Sequence, residues 1–139
     1  MATDCIFCKI ASGELPSEKI YEDEATVAFL DLKPVNPGHA LVIPKLHYRN
    51  VFDIPEDAWL AVMKTARHIA AAIQKATSAG GVNIVVNNES PAHQLIFHAH
   101  VHVIPRRAGD AHKAWVGAAY EEGGMVKTGD AVRKELSAK

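Results

Sequence analysis

Short apolar runs bounded by proline and glycine, with one long helical stripe between them, set the outline of this chain. Residues 25–32 (Ala-Thr-Val-Ala-Phe-Leu-Asp-Leu) read as a strand, and Pro34, Pro37 and Gly38 after it read as a turn. Residues 40–43 form a second strand, stopped by Pro44. Ile54-Pro55-Glu56-Asp57 opens a helix, with proline and acids in the first turn, where they suit free N–H groups and the helix dipole. Trp59, Val62, Met63, Ala66, Ile69, Ala70 and Ile73 then recur at the spacing of one amphipathic face, and Gly80-Gly81 ends the helix. His68 falls off that stripe and is expected on the solvent side. Residues 82–86 form a third strand, followed by the loop Asn87-Asn88-Glu89-Ser90-Pro91. Residues 98–104 form a fourth strand, stopped by Pro105. Strands on both sides of one long helix predict an α+β fold: a mainly antiparallel sheet, the helix, and short terminal elements, in the order strand, strand, helix, strand, strand. Beyond Pro105 the pattern fades. Arg106, Arg107 and Lys113 read as solvated charges, Trp115 and Tyr120 as residues packed on the body or on a partner subunit, Gly123-Gly124 as a turn, and residues 128–136 as a short terminal helix.

Composition narrows the class. The chain has 139 residues, 48% hydrophobic and 22% charged, with a net charge of -1. That length suits a single domain over 1–139, and the charge balance argues against general nucleic-acid binding. Met1-Ala2-Thr3-Asp4-Cys5 has neither a basic nor an apolar leader segment, and no apolar run approaches bilayer length, so no membrane association is expected and the cytoplasm is the expected compartment. Without an export signal, Cys5-Ile6-Phe7-Cys8 suggests metal or redox chemistry rather than a structural disulfide.

The strongest chemical signal is His98-Ala99-His100-Val101-His102-Val103-Ile104. In a strand Ala99, Val101 and Val103 would face a core, and His98, His100 and His102 would share the other face about 7 Å apart, from a rise of roughly 3.3 Å per residue. One such histidine is an ordinary hydrogen-bonded residue. Three in a row point to a site, since neutral imidazole is both a nucleophile and a metal ligand.

That stretch resembles the signature of the histidine triad family of nucleotidyl hydrolases and transferases. Further matches are Ile6-Phe7-Cys8-Lys9-Ile10, Phe29-Leu30-Asp31, Pro37-Gly38-His39, Val42-Ile43-Pro44-Lys45, His47, Asn87 and the run 94–105. The resemblance covers roughly residues 4–107, leaving a variable C-terminal tail from about residue 108. It implies that His100 attacks the α-phosphorus of a nucleoside phosphate to give a nucleotidyl-histidine, that His102 contacts the phosphate and protonates the leaving group, and that His39 supports them. Ile6, Phe7, Ile10, Leu15, Phe29, Leu30 and Leu32 match the walls around the base, and Asp31 the acid that grips the ribose hydroxyls; its alternative is a turn-capping role before Pro34. Asn87 and the stretch His93, Gln94 and Leu95 match the phosphate loop. Two positions depart from the family. His93 stands where a glycine is common, and Leu95 where a hydroxyl or acid is common, so His93 either crowds the loop or supplies a replacement contact.

The resemblance also implies a structural zinc ion in one branch of the family, held here by Cys5, Cys8, His47 and His98, which leaves His100 and His102 free for catalysis. It implies a purine nucleotide substrate, with nucleoside phosphoramidates or related adenylated compounds foremost, and a homodimer paired through the long helix and the adjoining sheet edge. Alternatives remain: a dinucleoside polyphosphate hydrolase, a non-catalytic nucleotide-binding regulator, or a metallohydrolase in which His98, His100 and His102 hold a catalytic zinc.

Overall fold

The computed structural model describes residues 4–113 and 115–138. Its sheet contains β1 (Lys19–Glu22), β2 (Thr26–Leu30), β3 (Ala40–Pro44), β4 (Gly81–Val85) and β5 (Val101–Arg106), in the spatial order β1-β2-β3-β5-β4 with antiparallel neighbours throughout. Helices α1 (Ile6–Ser12), α2 (Glu56–Thr77) and α3 (Gly124–Ser137) and a 3-10 turn (Ser90–Ala92) complete it. This is the predicted α+β class.

Alternation along the strands divides the core in two. Ala28, Ala40, Val42, Val101 and Val103 face one side and pack on Val62, Ala66, Ile69 and Ile73 of α2. Val27, Phe29, Leu41 and Ile43 face the other side and pack on Phe7 and Ile10 of α1. Successive side chains of a strand point to opposite faces, so β2 and β3 carry nearly unbroken apolar sequence because both of their faces are covered. A hydroxyl–hydroxyl bond of 2.7 Å between Thr26 and Thr65, both buried, ties β2 to α2. The helix starts beside Pro55, with Glu56 and Asp57 in its first turn as expected, and stops at Ser78, whose left-handed backbone donates to the carbonyls of Gln74 and Lys75. Its C-terminal end meets Gly38. The φ of Gly38 is 100°, and a Cβ there would lie 2.7 Å from Thr77 Cγ2, so only glycine lets the turn before His39 seat against α2.

Several expectations need correction. The order lacked α1 and the edge strand β1, and β2 is shorter than residues 25–32. The histidine strand begins at Val101 instead of residue 98, because β3 pairs with β5 only from Val101 and β4 only from His102. Ahead of that ladder the Ala99 amide donates to the Tyr48 carbonyl at 2.7 Å. Ala99, Val101 and Val103 are nevertheless buried as expected. Arg106 is no solvated charge: it donates to both Asp110 oxygens, to the Asn83 side chain and to the His112 carbonyl, and Arg107 reaches the Thr77 carbonyl. Trp115 and Tyr120 do not pack on the body; both are exposed. Gly124 lies inside α3, which starts four residues earlier than expected and has no buried residue. His68 is exposed, as expected, with its ring edge against Tyr21.

Candidate active site and metal centre

Hydrogen bonds assign the tautomers of three adjoining imidazoles. His100 Nδ1 lies 2.7 Å from the His98 carbonyl, an acceptor, so Nδ1 carries the hydrogen and Nε2 keeps its lone pair. The Val35 amide donates to His39 Nδ1 at 3.0 Å, which leaves the hydrogen of neutral His39 on Nε2, 3.0 Å from His102 Nδ1. His102 therefore accepts at Nδ1 and bears its own hydrogen on Nε2. The His100 and His102 rings lie edge to face, 5.1 Å between centroids. Burial holds all three neutral at pH 7. It lowers the pKa of His100 and of His39, in each case against the opposing pull of Asp31. It lowers His102 to about 4, with His100 and His39 acting in the same direction. A lone-pair nitrogen thus stands beside an N–H donor.

Both rings open onto a cavity of about 720 Å³ between α1 and the sheet. Its apolar part is formed by Ile6, Phe7 and Ile10 of α1 with Phe29, Leu30 and Leu41, and by Leu32 just beyond β2. Phe7 joins the two regions, its ring edge-to-face with Phe29 at 5.5 Å and with His100 at 5.1 Å. Leu15 is not on this wall. Asp31 is, and it also caps the turn: Oδ1 accepts the Lys33 amide at 2.8 Å, whereas Oδ2 stands 3.7 Å from His39 Nε2. The turn-capping reading of Asp31 is thus met by Oδ1.

Asn87, His93 and Leu95 line the cavity; Gln94 does not. The Gln94 side chain is buried and turned into the protein, donating to the carbonyls of Arg49 and Ile96 and accepting from the Glu89 amide and Asn50. Its part is to pin the loop. The sequence reading missed this clamp, in which Arg49 and Asn50 bind the Glu89 carboxylate at 2.6–2.8 Å and lower the Glu89 pKa to about 2, the Arg49 hydrogen bonds first. Only the buried amide of Asn50 between two loops could have signalled it, and burial is not visible in sequence.

A second cluster lies behind the first. Cys5 Sγ, Cys8 Sγ, His47 Nδ1 and His98 Nδ1 all fall within 4.8 Å of one another. Sulfur–nitrogen separations are 3.3–3.6 Å and the nitrogen–nitrogen distance is 3.2 Å. Tetrahedral zinc, with bonds of ~2.3 Å to sulfur and ~2.0 Å to nitrogen, requires edges of about 3.5 Å and 3.3 Å, so the four residues fit such an ion. His98 Nε2 donates to the Pro44 carbonyl at 2.8 Å, which fixes the tautomer and aims the Nδ1 lone pair at the cluster. The metallohydrolase alternative is not supported by this arrangement: His98 faces the cysteines, and His100 Nδ1 is bonded to a carbonyl. Asp31, His39 and His102 also bring ligand atoms within 4.8 Å of one another, but His39 and His102 are already hydrogen-bonded together.

Comparison with known proteins agrees with this geometry. The HIT domain model matches residues 12–109. Adenylylsulfatase HINT3 of Arabidopsis thaliana is 44% identical over 110 residues, 79% of this chain and 56% of that protein, so the chain spans little more than half of that relative's length. Adenosine 5'-monophosphoramidase HNT1 of Saccharomyces cerevisiae is 40% identical over 97% of this chain and 82% of its own. A Zn-bound histidine triad family protein from Mycobacterium smegmatis superposes with a TM-score of 0.76 at 36% identity, covering 96% of this chain and 97% of the other.

Proposed function

The chain belongs to the HIT domain family, and on that premise we propose that it is a nucleotidyl hydrolase cleaving the bond between the α-phosphorus of a purine nucleoside 5′-phosphate and an attached amine, sulfate or phosphate. The observation that carries the reading is the pairing of His100, whose Nδ1–H is engaged at 2.7 Å, with the Nε2–H of His102 at one cavity. His100 Nε2 attacks phosphorus and a P–N bond forms. The bond to the leaving atom breaks with its electron pair on that atom. A sulfate or phosphate departs as an anion, eased by the His102 hydrogen bond. An amine departs after gaining one proton through His102, which a bound phosphate drives toward its charged form. The His98 carbonyl stabilises the positive ring of the adduct. Water then bonds to phosphorus and gives up a proton, to His102 where an amine took one and otherwise to solvent. The P–N bond breaks with its electron pair back on His100 Nε2, and the nucleoside monophosphate leaves with both histidines restored.

The apolar wall takes the base, and Asp31 Oδ2 takes the ribose hydroxyls. Cys5, Cys8, His47 and His98 hold zinc, which supplies no step and ties α1 to the strand that presents His100. Two copies pair through α2 and the β4 edge, where Leu60 and Ile84 are exposed. The relatives named for phosphoramidate and adenylyl sulfate cleavage support these substrate classes. Turnover of adenosine 5′-phosphoramidate and adenosine 5′-phosphosulfate by the parent chain, lost in His100→Ala with nucleotide binding kept, is the expected outcome. Binding without turnover in the parent would instead establish the nucleotide-binding regulator.

A further inference from the structure

Two non-glycine residues in the loop at the cavity rim have positive φ: Glu89 (φ 76°, ψ 159°) and His93 (φ 69°, ψ 28°). For most side chains such a conformation is strained. At Glu89 the cost is offset by the carboxylate clamp and by the backbone bonds from Ala92 and Gln94. His93 has one backbone bond, its amide donating to the Ser90 carbonyl at 2.9 Å, and no side-chain compensation. Its imidazole makes no hydrogen bond or ion pair with the described residues, yet it stands exposed on the cavity wall beside Asn87 and Leu95.

The loop backbone does little for an anion at this point. The amides of Ala92, His93 and Gln94 donate to the carbonyls of Glu89, Ser90 and Glu89 at 3.0, 2.9 and 3.2 Å, so they form no anion-binding nest. Leu95 offers hydrocarbon. Of the polar side chains on this wall, Asn87 is half-buried and His93 stands outermost. Lys33, the cationic lining residue, follows Asp31 on the turn after β2, at the part of the wall assigned to ribose. In an in-line displacement the leaving group departs from the face of phosphorus opposite the nucleophile. The His100 side is buried, so departure is toward the open rim.

We infer that His93 reads the leaving group: its imidazole donates a hydrogen bond to the anionic oxygens of a sulfate or phosphate joined to the α-phosphoryl group. The reacting bond is then the one from α-phosphorus to the bridging oxygen. It breaks with its electron pair on that oxygen as His100 Nε2 bonds to phosphorus, and His93 offsets the charge that builds on the departing group. An uncharged amine gains nothing from this contact. His93 therefore biases the chain toward nucleoside 5′-phosphosulfates and polyphosphates over phosphoramidates. The inference rests on His100 as nucleophile.

The test is the ratio of kcat/KM for adenosine 5′-phosphosulfate to that for adenosine 5′-phosphoramidate, measured in the parent, His93→Gly and His93→Asn. Glycine takes φ near 69° freely, so His93→Gly melts no lower than the parent. The ratio should fall about tenfold in His93→Gly, the scale of one hydrogen bond to a charged group, and recover in part in His93→Asn, which tolerates the left-handed backbone and keeps a donor. Equal changes for both substrates, or none, overturn the role of His93 while leaving His100 untouched, since His100→Ala in the same assay tests that reading separately. A parent chain that turns over neither substrate overturns both.

Discussion

At the scale of single residues the site works through tautomers. His39, His100 and His102 are each locked by one hydrogen bond, and burial sets their charge. His102 is the sharpest case, with a pKa near 4 against about 6.5 for an unperturbed imidazole. Between pH 6.5 and 4 the unfolded chain binds a proton at this position that the folded chain resists. Stability contributed by neutral His102 is thus complete above pH 6.5 and falls as the pH drops through that window. Urea midpoints at pH 6.5, 5.5 and 4.5 should decline less steeply in His102→Gln than in the parent; identical slopes would show that His102 is not held neutral by its surroundings. Much of this scale was legible. Alternation in the chain marks His98, His100 and His102, and the resemblance to the histidine triad family adds His39, Asp31 and the Cys5, Cys8, His47 and His98 set, which the structure brings together. The backbone around residues 93–95 matches a phosphate loop by sequence, but that the Gln94 side chain turns inward depends on Asn50 and the Glu89 amide, partners that no sequence pattern names. Likewise, no sequence pattern shows that one oxygen of Asp31 caps a turn while the other faces His39.

At the scale of elements, the short pieces depend most on the site. Helix α1 has seven residues, too few to persist alone; it carries Cys8 with Phe7 and Ile10, and Cys5 is its N-cap. Zinc between Cys5, Cys8, His47 and His98 would hold α1, the segment after β3 and the approach to β5 in register. Elemental analysis should find about one zinc per chain, as a closed four-ligand site requires. Chelation or Cys8→Ser should lower the melting temperature and loosen nucleotide binding without changing the chemistry of His100. Zinc retained in full by Cys8→Ser would mean that the ligand set is wrong. The long helix and the buried strands were legible because apolar periodicity sustained over many residues outweighs local noise. Strand β1 was not. It has four residues and lies at an exposed edge, so its sequence carries no buried face to reveal it. The histidine strand starts three residues later than its pattern suggests, because alternation continues through His98-Ala99-His100 although the ladder partners do not, and it runs on through Pro105 to Arg106.

At the scale of the whole molecule, α2 covers one face of the sheet and α1 with the cavity occupies the other, so the face that the long helix leaves open is the one that presents His100 and His102. Among the described residues no helix is long and apolar enough to cross a membrane. The apolar side chains left outside the core include Leu60 on α2 and Ile84 on β4, and exposed apolar groups of this kind suit a two-fold partner. Light scattering at micromolar concentration should give twice the chain mass; the mass of one chain would exclude pairing. An interface face is only faintly legible in the chain, since a single sequence separates a core face from an interface face poorly. The central claim is narrower and concerns one nitrogen atom. Adenosine 5′-phosphoramidate is mixed with the parent chain, quenched in base within milliseconds and mapped by mass spectrometry. The predicted result is an adenylyl group on the peptide containing His100, absent in His100→Ala; turnover with no adduct at His100, or undiminished turnover in His100→Ala, would contradict the account.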